Sequence, residues 1–299
     1  MAIKNMAASV LTRLKSQSKE EKIPFQIVLQ LFAQEEFLRK LSLSKYTKNM
    51  ILKGGMFIYT ITEFNSRPTR DIDFMVRNLN GSIENIEKNM REICTINTGN
   101  EFISLEVSGT EQITLDKKYP GVKTIFMGRI EKVRIPFSID VGIDDVIVPK
   151  PIKRKIITRL PDFKSPEIYT YSVESTIAEK FDAIVQRMET TSRMKDFYDI
   201  YYLSNIFDFR GTILMEAINS TFKHRKREIV ADVFEDIYRF KDNKFLKMQW
   251  NAFEPAKQDS LSFEDVLIRL KIFIEPIYRS ILSIDKFEKV WDCQKHQWL

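Results

Sequence analysis

The chain carries Leu52-Lys53-Gly54-Gly55 and, after fifteen intervening residues, Asp71-Ile72-Asp73-Phe74-Met75-Val76. Alternation along the second stretch predicts a strand with Asp71 and Asp73 on one face and Ile72 and Phe74 on the other. Two carboxylates side by side on a strand repel each other, and the pair is costly unless a divalent cation lies between them. The glycines permit close backbone approach and leave amides free at a strand-to-helix turn, where triphosphate oxygens can be received. Met56, Phe57, Ile58 and Ile61 then continue as a buried helix. Taken alone, a DxD reads as a solvated strand edge or turn. The Gly-Gly turn at this distance reverses that reading.

A third acid is expected on a neighbouring strand, and IPFSIDVGIDD (135–145) offers it. There Phe137, Ile139 and Val141 face one way and Ser138, Asp140 and Gly142 the other, which leaves Asp140 as a carboxylate in an otherwise apolar segment. Asp144 and Asp145 are read as the turn at the end of that strand. Three acids on adjacent strands suit two Mg²⁺ ions, with Mn²⁺ as the substitute, about 3.5–4 Å apart. Phosphoryl-type transfer needs mainly positioning and charge neutralisation, so no nucleophilic Ser or Cys is required. His224 and His296 are the only histidines, and histidine-based catalysis is poorly supported.

Around these motifs the texture changes twice. Residues 7–45 show helical spacing, first through Ala8, Val10, Leu11 and Leu14, then through Phe25, Val28, Leu31, Phe32 and Leu38. From about Met50 short apolar runs alternate with turns, which predicts a mixed sheet with helices at 56–64 and 82–93 packed on it. The segment 149–166, marked by Pro149, Pro151, Pro161 and Pro166, reads as a connection with a helical or irregular middle. Beyond Tyr171 the pattern is almost wholly helical, through 172–190, 193–206, 211–224, 228–240 and 262–282. The expectation is an α+β fold: a mixed β-sheet core with packed helices at 1–165, then an α-helical part at 166–299.

Composition bounds the rest. With 299 residues, 43% of them hydrophobic, the chain can bury a sizeable core and is not a disordered polymer. No apolar run approaches the roughly 18 residues of a membrane span. The first residues lack an apolar signal region, so secretion is not expected, and Cys94 and Cys293 have no metal-type spacing. A reduced cytoplasmic setting fits them. The net charge of +6 is compatible with a polyanionic partner but does not demand one.

Gly-Gly, a helix, an Asp-Ile-Asp strand and a later strand Asp resemble the polymerase-β-like nucleotidyltransferase superfamily. The likeness extends through SVLTRLK (9–15), LRKLSLSKY (38–46), LKGGMFIY (52–59), TRDIDF (69–74), SIDVGIDDVIVP (138–149), IAEKFDAI (177–184) and RMKDFYDIYYL (193–203). Together these resemble the AbiEii family, nucleotidyltransferase toxins of type IV toxin–antitoxin and abortive-infection phage-defence systems, with MenT-like toxins as relatives. The resemblance runs over about residues 8–205, and the last third matches only in its helical character. The Gly-Gly pair stands where most of the wider superfamily has Gly-Ser. Arg70 precedes Asp71 where many relatives differ, with Thr69 and Ser66 as the nearby hydroxyls.

The resemblance implies catalytic roles for Asp71, Asp73, Asp140, Lys180 and Asp196, metal binding by the first three, and nucleotide binding by Lys53, Gly54, Gly55 and Lys180. From spacing alone, Lys180 lies at the margin of the stripe Val173, Ile177, Phe181, Ile184, Val185 and Met188, where its stem packs and its ammonium reaches either solvent or a cleft. The resemblance implies a phosphate contact for it. Asp196 and Asp199, at i and i+3, share a helix face that reads equally as a solvated charged surface. The family pattern gives Asp196 the active-site role, orienting the acceptor or its hydroxyl proton, with Asp199 as the alternative.

Two basic runs are candidate RNA contacts: Lys150, Lys153, Arg154, Lys155 and Arg159, and then Lys223, His224, Arg225, Lys226 and Arg227. Their other reading is two solvated helix faces. Tyr198, Tyr201 and Tyr202 are stacking candidates that helical spacing also places in a core. By resemblance the function is transfer of a nucleoside monophosphate from NTP to RNA, expected at the 3′ end of tRNA, releasing pyrophosphate and blocking translation. The helical part would then complete the active-site cleft. The cognate antitoxin is expected to act without a stable complex, and no membrane is involved. Two other readings stand beside this one: the same chemistry on a protein or small-molecule hydroxyl, and a non-catalytic nucleotide- or RNA-binding module.

Overall fold

The computed structural model describes residues 5–113, 121–143, 145–253, 255 and 258–299. Asp144, read above as part of a turn, lies outside them. The chain divides into two units, Met1–Asp144 with Ile152–Tyr171, and Asp145–Pro151 with Ser172–Leu299.

The first unit is a sheet with helices packed on it. Two helices come first, α1 (Met6–Glu20) and α2 (Phe25–Leu43), followed by β1 (Met50–Lys53), α3 (Gly54–Ile61), β2 (Ile72–Val76) and α4 (Ile83–Cys94). Three long strands follow, β3 (Ile103–Ile113), β4 (Gly121–Ile130) and β5 (Val133–Ile143), and then two short ones, β6 (Ile152–Lys155) and β7 (Glu167–Thr170). They form one seven-stranded sheet in the order β3-β4-β5-β2-β1-β7-β6. It is mixed, because β2 runs parallel to β5 and β1 parallel to β7, whereas the other neighbours are antiparallel. Alternation does what the sequence requires of it. On β5, Ile135, Phe137, Ile139 and Val141 are buried, while Ser138 and Asp140 are half-buried. The buried side is sealed by α2, whose Phe37 meets Phe74 and Phe126 at ring distances of 6.0 and 5.4 Å.

Two sequence expectations change here. The irregular middle expected at 149–166 contains the strand β6, and residues 166–171, assigned by sequence to the helical part, supply β7. Both strands are only four residues long, too short to establish an alternation of their own. Pairing with β1 and with each other fixes them instead.

The second unit is mainly helical: α5 (Val173–Arg187), α6 (Met194–Ile206), α7 (Gly211–His224), α8 (Val233–Arg239), α9 (Lys244–Ala252) and α10 (Phe263–Ser283). Its core is aromatic, with Phe181 stacked on Phe222 and Phe234 and edge-on to Tyr278. The helix expected from 228 begins only at Val233. Its first residues are drawn out of helix because the Tyr278 hydroxyl bonds both the N–H and the carbonyl of Val230, each at 2.9 Å. Nor is this unit wholly helical. A small sheet, β10-β9-β8, joins β8 (Phe209–Arg210), β9 (Val290–Asp292) and β10 (Gln297–Trp298). Residues 145–151 belong here, since the Val148 N–H donates to the Ser175 hydroxyl at 2.7 Å and its carbonyl accepts from Ser172 at 2.8 Å. Among the described residues no helix is long and apolar enough to cross a membrane.

Candidate active site

In the first unit, strand register gathers charge into one row. Lys53 on β1 pairs with Asp73 on β2, Asp73 with Asp140 on β5, and Asp140 with Lys123 on β4. Directly paired residues project to the same side of a sheet, so the sequence Lys123, Asp140, Asp73, Lys53 runs across one face. All four are half-buried. Lys123 was not singled out by sequence, because its value comes from the register of β4 against β5.

Gly54 explains the turn that follows Lys53. Its φ is +69°, and a Cβ built there would fall 2.1 Å from Oδ2 of Asp73. The Asp73 carboxylate therefore lies against bare backbone at the start of α3, in space that only glycine leaves open. A Cβ at Gly55 would meet the Thr69 hydroxyl at 2.8 Å. The Lys53 ammonium stands 5.1 Å from the Tyr171 ring centroid and reaches toward Gly142, 4.0 Å from where a side chain there would begin.

Asp71 stands just ahead of β2 and is exposed. The backbone around it is held from two directions. The Thr69 hydroxyl donates to the Asp71 carbonyl at 3.1 Å, and the Gln34 amide donates to the Arg70 carbonyl at 2.8 Å. Gln34 is wholly buried on α2, beside the equally buried Glu35 and Glu36, and sequence reading passed over it. The structure thus puts Asp73 and Asp140 in register, with Asp71 on the segment leading into the same strand. Among the described residues no three His, Cys, Asp or Glu side chains converge as a metal cluster, so the expected trio is not gathered into one. The physical reason is that Asp71 lies outside the paired ladder that fixes the other two. The donors are carboxylate oxygens beside a glycine cradle, a set that fits a hard divalent cation better than a soft one.

The second unit carries a different constellation. Lys180 on α5 places its ammonium 3.1 Å from Asp196 and 2.6 Å from Asp199 on α6, and Arg193 Nε lies 2.5 Å from the other Asp196 oxygen. Lys180, Asp196 and Asp199 are all buried. The readings of a surface lysine and a solvated acidic face are therefore corrected. Sequence spacing sees one helix at a time, and this pairing is made between two. Burial by itself would raise the Asp196 carboxyl, but Lys180 and Arg193 overcome it and hold the group below the ordinary carboxylate range.

Of the basic runs, only part stays at the surface. Arg225 is bound to Asp145 at 2.5 Å, Asp182 at 3.0 Å and Glu179 at 3.2 Å, and Arg227 to Asp182 at 2.7 Å. Desolvation alone would weaken the Arg225 charge, yet three carboxylates raise its pKa above the ordinary value. These arginines are engaged internally, while Lys223 and Lys226 are exposed. In the other run, Arg159 is buried against Glu21 and Tyr59, Arg154 bonds Thr170, and the exposed Lys153 pairs with Glu167 at 3.0 Å. Lys155 and Lys150 are exposed.

The family model described as nucleotidyl transferase AbiEii toxin, type IV toxin–antitoxin system, matches residues 36–269. The chain belongs to the AbiEii family. It is a nucleotidyltransferase toxin of the type IV toxin–antitoxin class, which brings with it an NTP substrate and an antitoxin partner. Among solved structures it is similar to MenT4, a nucleotidyltransferase toxin from Mycobacterium tuberculosis, at 14% identity and a TM-score of 0.50, over 80% of this chain and 73% of that one. JHP933 from Helicobacter pylori also matches, at 14% identity and a TM-score of 0.44, over 84% of this chain and 94% of that one. No curated protein sequence matches. The MenT4 likeness extends the agreement to the α+β fold itself.

Proposed function

We propose that this AbiEii protein transfers a nucleoside monophosphate from NTP to the 3′ hydroxyl of an RNA, with tRNA as the cellular acceptor, and that the modified tRNA no longer supports translation. The observation that carries the reading is the register of Asp73 with Asp140 beside the glycine turn at Gly54. Asp71, Asp73 and Asp140 would hold Mg²⁺, as two ions or with Mn²⁺ in its place. When bound, the metal supplies neutralisation of phosphate charge and a lowered hydroxyl pKa.

The residues then divide the work. Lys53 and the amides of the Gly54-Gly55 turn receive the triphosphate. The acceptor 3′ oxygen attacks the α-phosphorus, the bond from that phosphorus to the bridging oxygen breaks, and pyrophosphate leaves with that oxygen. The hydroxyl proton passes to solvent. Lys180, held in place by Asp196 and Asp199, meets a phosphate oxygen of the nucleotide. Asp196 orients the acceptor. Exposed Lys153, Lys155, Lys223 and Lys226 contribute phosphate contacts, with Arg154, Arg225 and Arg227 holding the elements beneath them. The antitoxin acts on the outcome without a stable complex with this chain.

An assay with α-phosphate-labelled NTPs, total RNA, protein extract and aminoglycosides tests this directly. Label is expected on RNA in the tRNA size range, at the 3′ end. Label confined to protein or to the aminoglycosides would overturn the acceptor assignment. Asp71→Asn is expected to abolish both transfer and growth inhibition, and undiminished toxicity in that variant would instead indicate a binding module.

A further inference from the structure

Helix α9 is an unusual piece of surface. It buries only Leu246 and Trp250, and Trp250 is tied down by its indole N–H to the Leu261 carbonyl at 2.8 Å and by stacking on Phe263. Gln249 is half-buried and the rest of the helix is exposed. Phe245 is 53% and Met248 60% exposed, each directly following an exposed lysine, Lys244 and Lys247. The helix contains no acidic residue, and Asp242 lies just outside its N-terminal end. A shallow depression along Lys244, Lys247 and Met248 shares Ala252 with a second one, formed by the end of α9 and the start of α6 at Ser192–Lys195. That second depression is lined by Arg193, whose guanidinium is bonded to Asp196.

We infer that this groove on the second unit takes the single-stranded 3′ end of the acceptor RNA, an inference that rests on the RNA reading above. Cationic side chains interleaved with an exposed ring and a thioether fit a strand that presents phosphates and unstacked bases together. A duplex keeps its bases covered and would leave Phe245 and Met248 without partners. A second copy of the chain would bring the same lysines against one another, a like-charge approach that opposes association. The groove also ends at the right chemistry. A strand following it from Lys244 and Lys247 arrives at Arg193, the residue bonded to the carboxylate proposed to orient the acceptor.

The test uses the full chain and a short fluorescein-labelled single-stranded RNA, with a blunt RNA hairpin as competitor. Lys244→Gln/Lys247→Gln is expected to weaken binding and to flatten the slope of log affinity against log salt by about 1.4, near 0.7 for each phosphate that no longer meets an ammonium. Phe245→Ala is expected to bind about fivefold or more weakly, because a base can no longer stack on the ring. The KM for NTP should stay unchanged in both, with thermal midpoints intact, which a general structural defect would not allow. An unaltered salt slope overturns the assignment, as does equal competition by the blunt hairpin. So does a change in self-association, read by sedimentation, with RNA affinity untouched. If wild-type protein binds the single strand in this way but labels no RNA, the groove stands and the proposed acceptor falls. If it labels RNA while these variants keep the wild-type RNA KM, the groove falls and the acceptor stands.

Discussion

Replacing Gly54 by alanine isolates what the turn does for the carboxylates. The new methyl would fall 2.1 Å from Asp73 Oδ2 and 2.8 Å from its Cγ. Comfortable contacts begin near 3.5 Å, so the carboxylate must retreat by more than about 1 Å. The backbone adds its own cost, because φ of +69° is unfavourable for an L-residue by roughly 1–2 kcal/mol. Against a total stability of about 5–15 kcal/mol the variant remains folded, with a thermal midpoint lowered by roughly 2–4 °C per kcal/mol. Activity should suffer far more, since a misplacement of about 1 Å at a reacting centre can cost about 10²-fold. Steady-state transfer assays at varied Mg²⁺ should show a kcat lower by about two orders of magnitude and a raised half-saturating Mg²⁺ concentration. Asp73→Ala provides the cross-check. Once the carboxylate is gone the methyl has room, so adding Gly54→Ala to Asp73→Ala should remove no further activity. A Gly54→Ala enzyme with the wild-type kcat and Mg²⁺ dependence, despite a lowered midpoint, would refute the cradle.

Three further substitutions probe the supports. Lys180→Met leaves Asp196 and Asp199 buried without their ammonium and should cost about 3–5 kcal/mol together with transfer activity. Asp196 is held below its ordinary 3.8, so its contribution is present above that pH and lost as pH falls through the lowered value; in the variant, acid unfolding should start at higher pH. Gln34→Leu removes the bond to the Arg70 carbonyl, which should cost about 1–3 kcal/mol and raise the Mg²⁺ requirement; an unchanged Mg²⁺ titration would separate Gln34 from the placement of Asp71. Glu35 is pushed up from 4.5 to about 7 by burial, against the opposing pull of Arg39. Its contribution is therefore complete below pH 4.5 and lost as pH rises through 7, a fall on the order of 3 kcal/mol that Glu35→Gln should abolish in thermal midpoints measured across that range.

What sequence could reveal depended on whether a residue's partner lay within its own element. The β2 and β5 strands were legible because their alternation is local, and so was the turn at Gly54-Gly55, because glycine marks its own need. The strands β6 to β10 were hidden by length, since runs of two to four residues carry no period. Helix α9 was missed for a related reason: with only Leu246 and Trp250 buried, it has no apolar stripe to detect. The burial of Lys180, Asp196 and Asp199 was illegible because each is made tolerable by a residue on another helix. Arg225 and Arg227 misled in the opposite direction. A run of basic residues reads as surface until the carboxylates of Asp145, Glu179 and Asp182 are found facing it.

The two charged constellations differ in a way that bears on what each is for. A buried ion pair is a poor means of gaining stability, since well-packed apolar residues of similar volume often do as well or better. Burying Lys180 with Asp196 and Asp199, and closing the charge balance with Arg193, therefore makes little sense as scaffolding. It does make an ammonium whose position is fixed before any ligand arrives, as stabilisation of developing charge requires. The row Lys123, Asp140, Asp73, Lys53 is built on the opposite principle. Its four residues are half-buried, and on the proposed function they meet ions and phosphates that come and go with each turnover. On the proposed function, then, the first unit supplies the exchangeable charge and the second the permanent one. Neutral substitutions should separate them: in the row they should be partly relieved by raised Mg²⁺ or NTP, whereas at Lys180 no concentration of either should restore transfer.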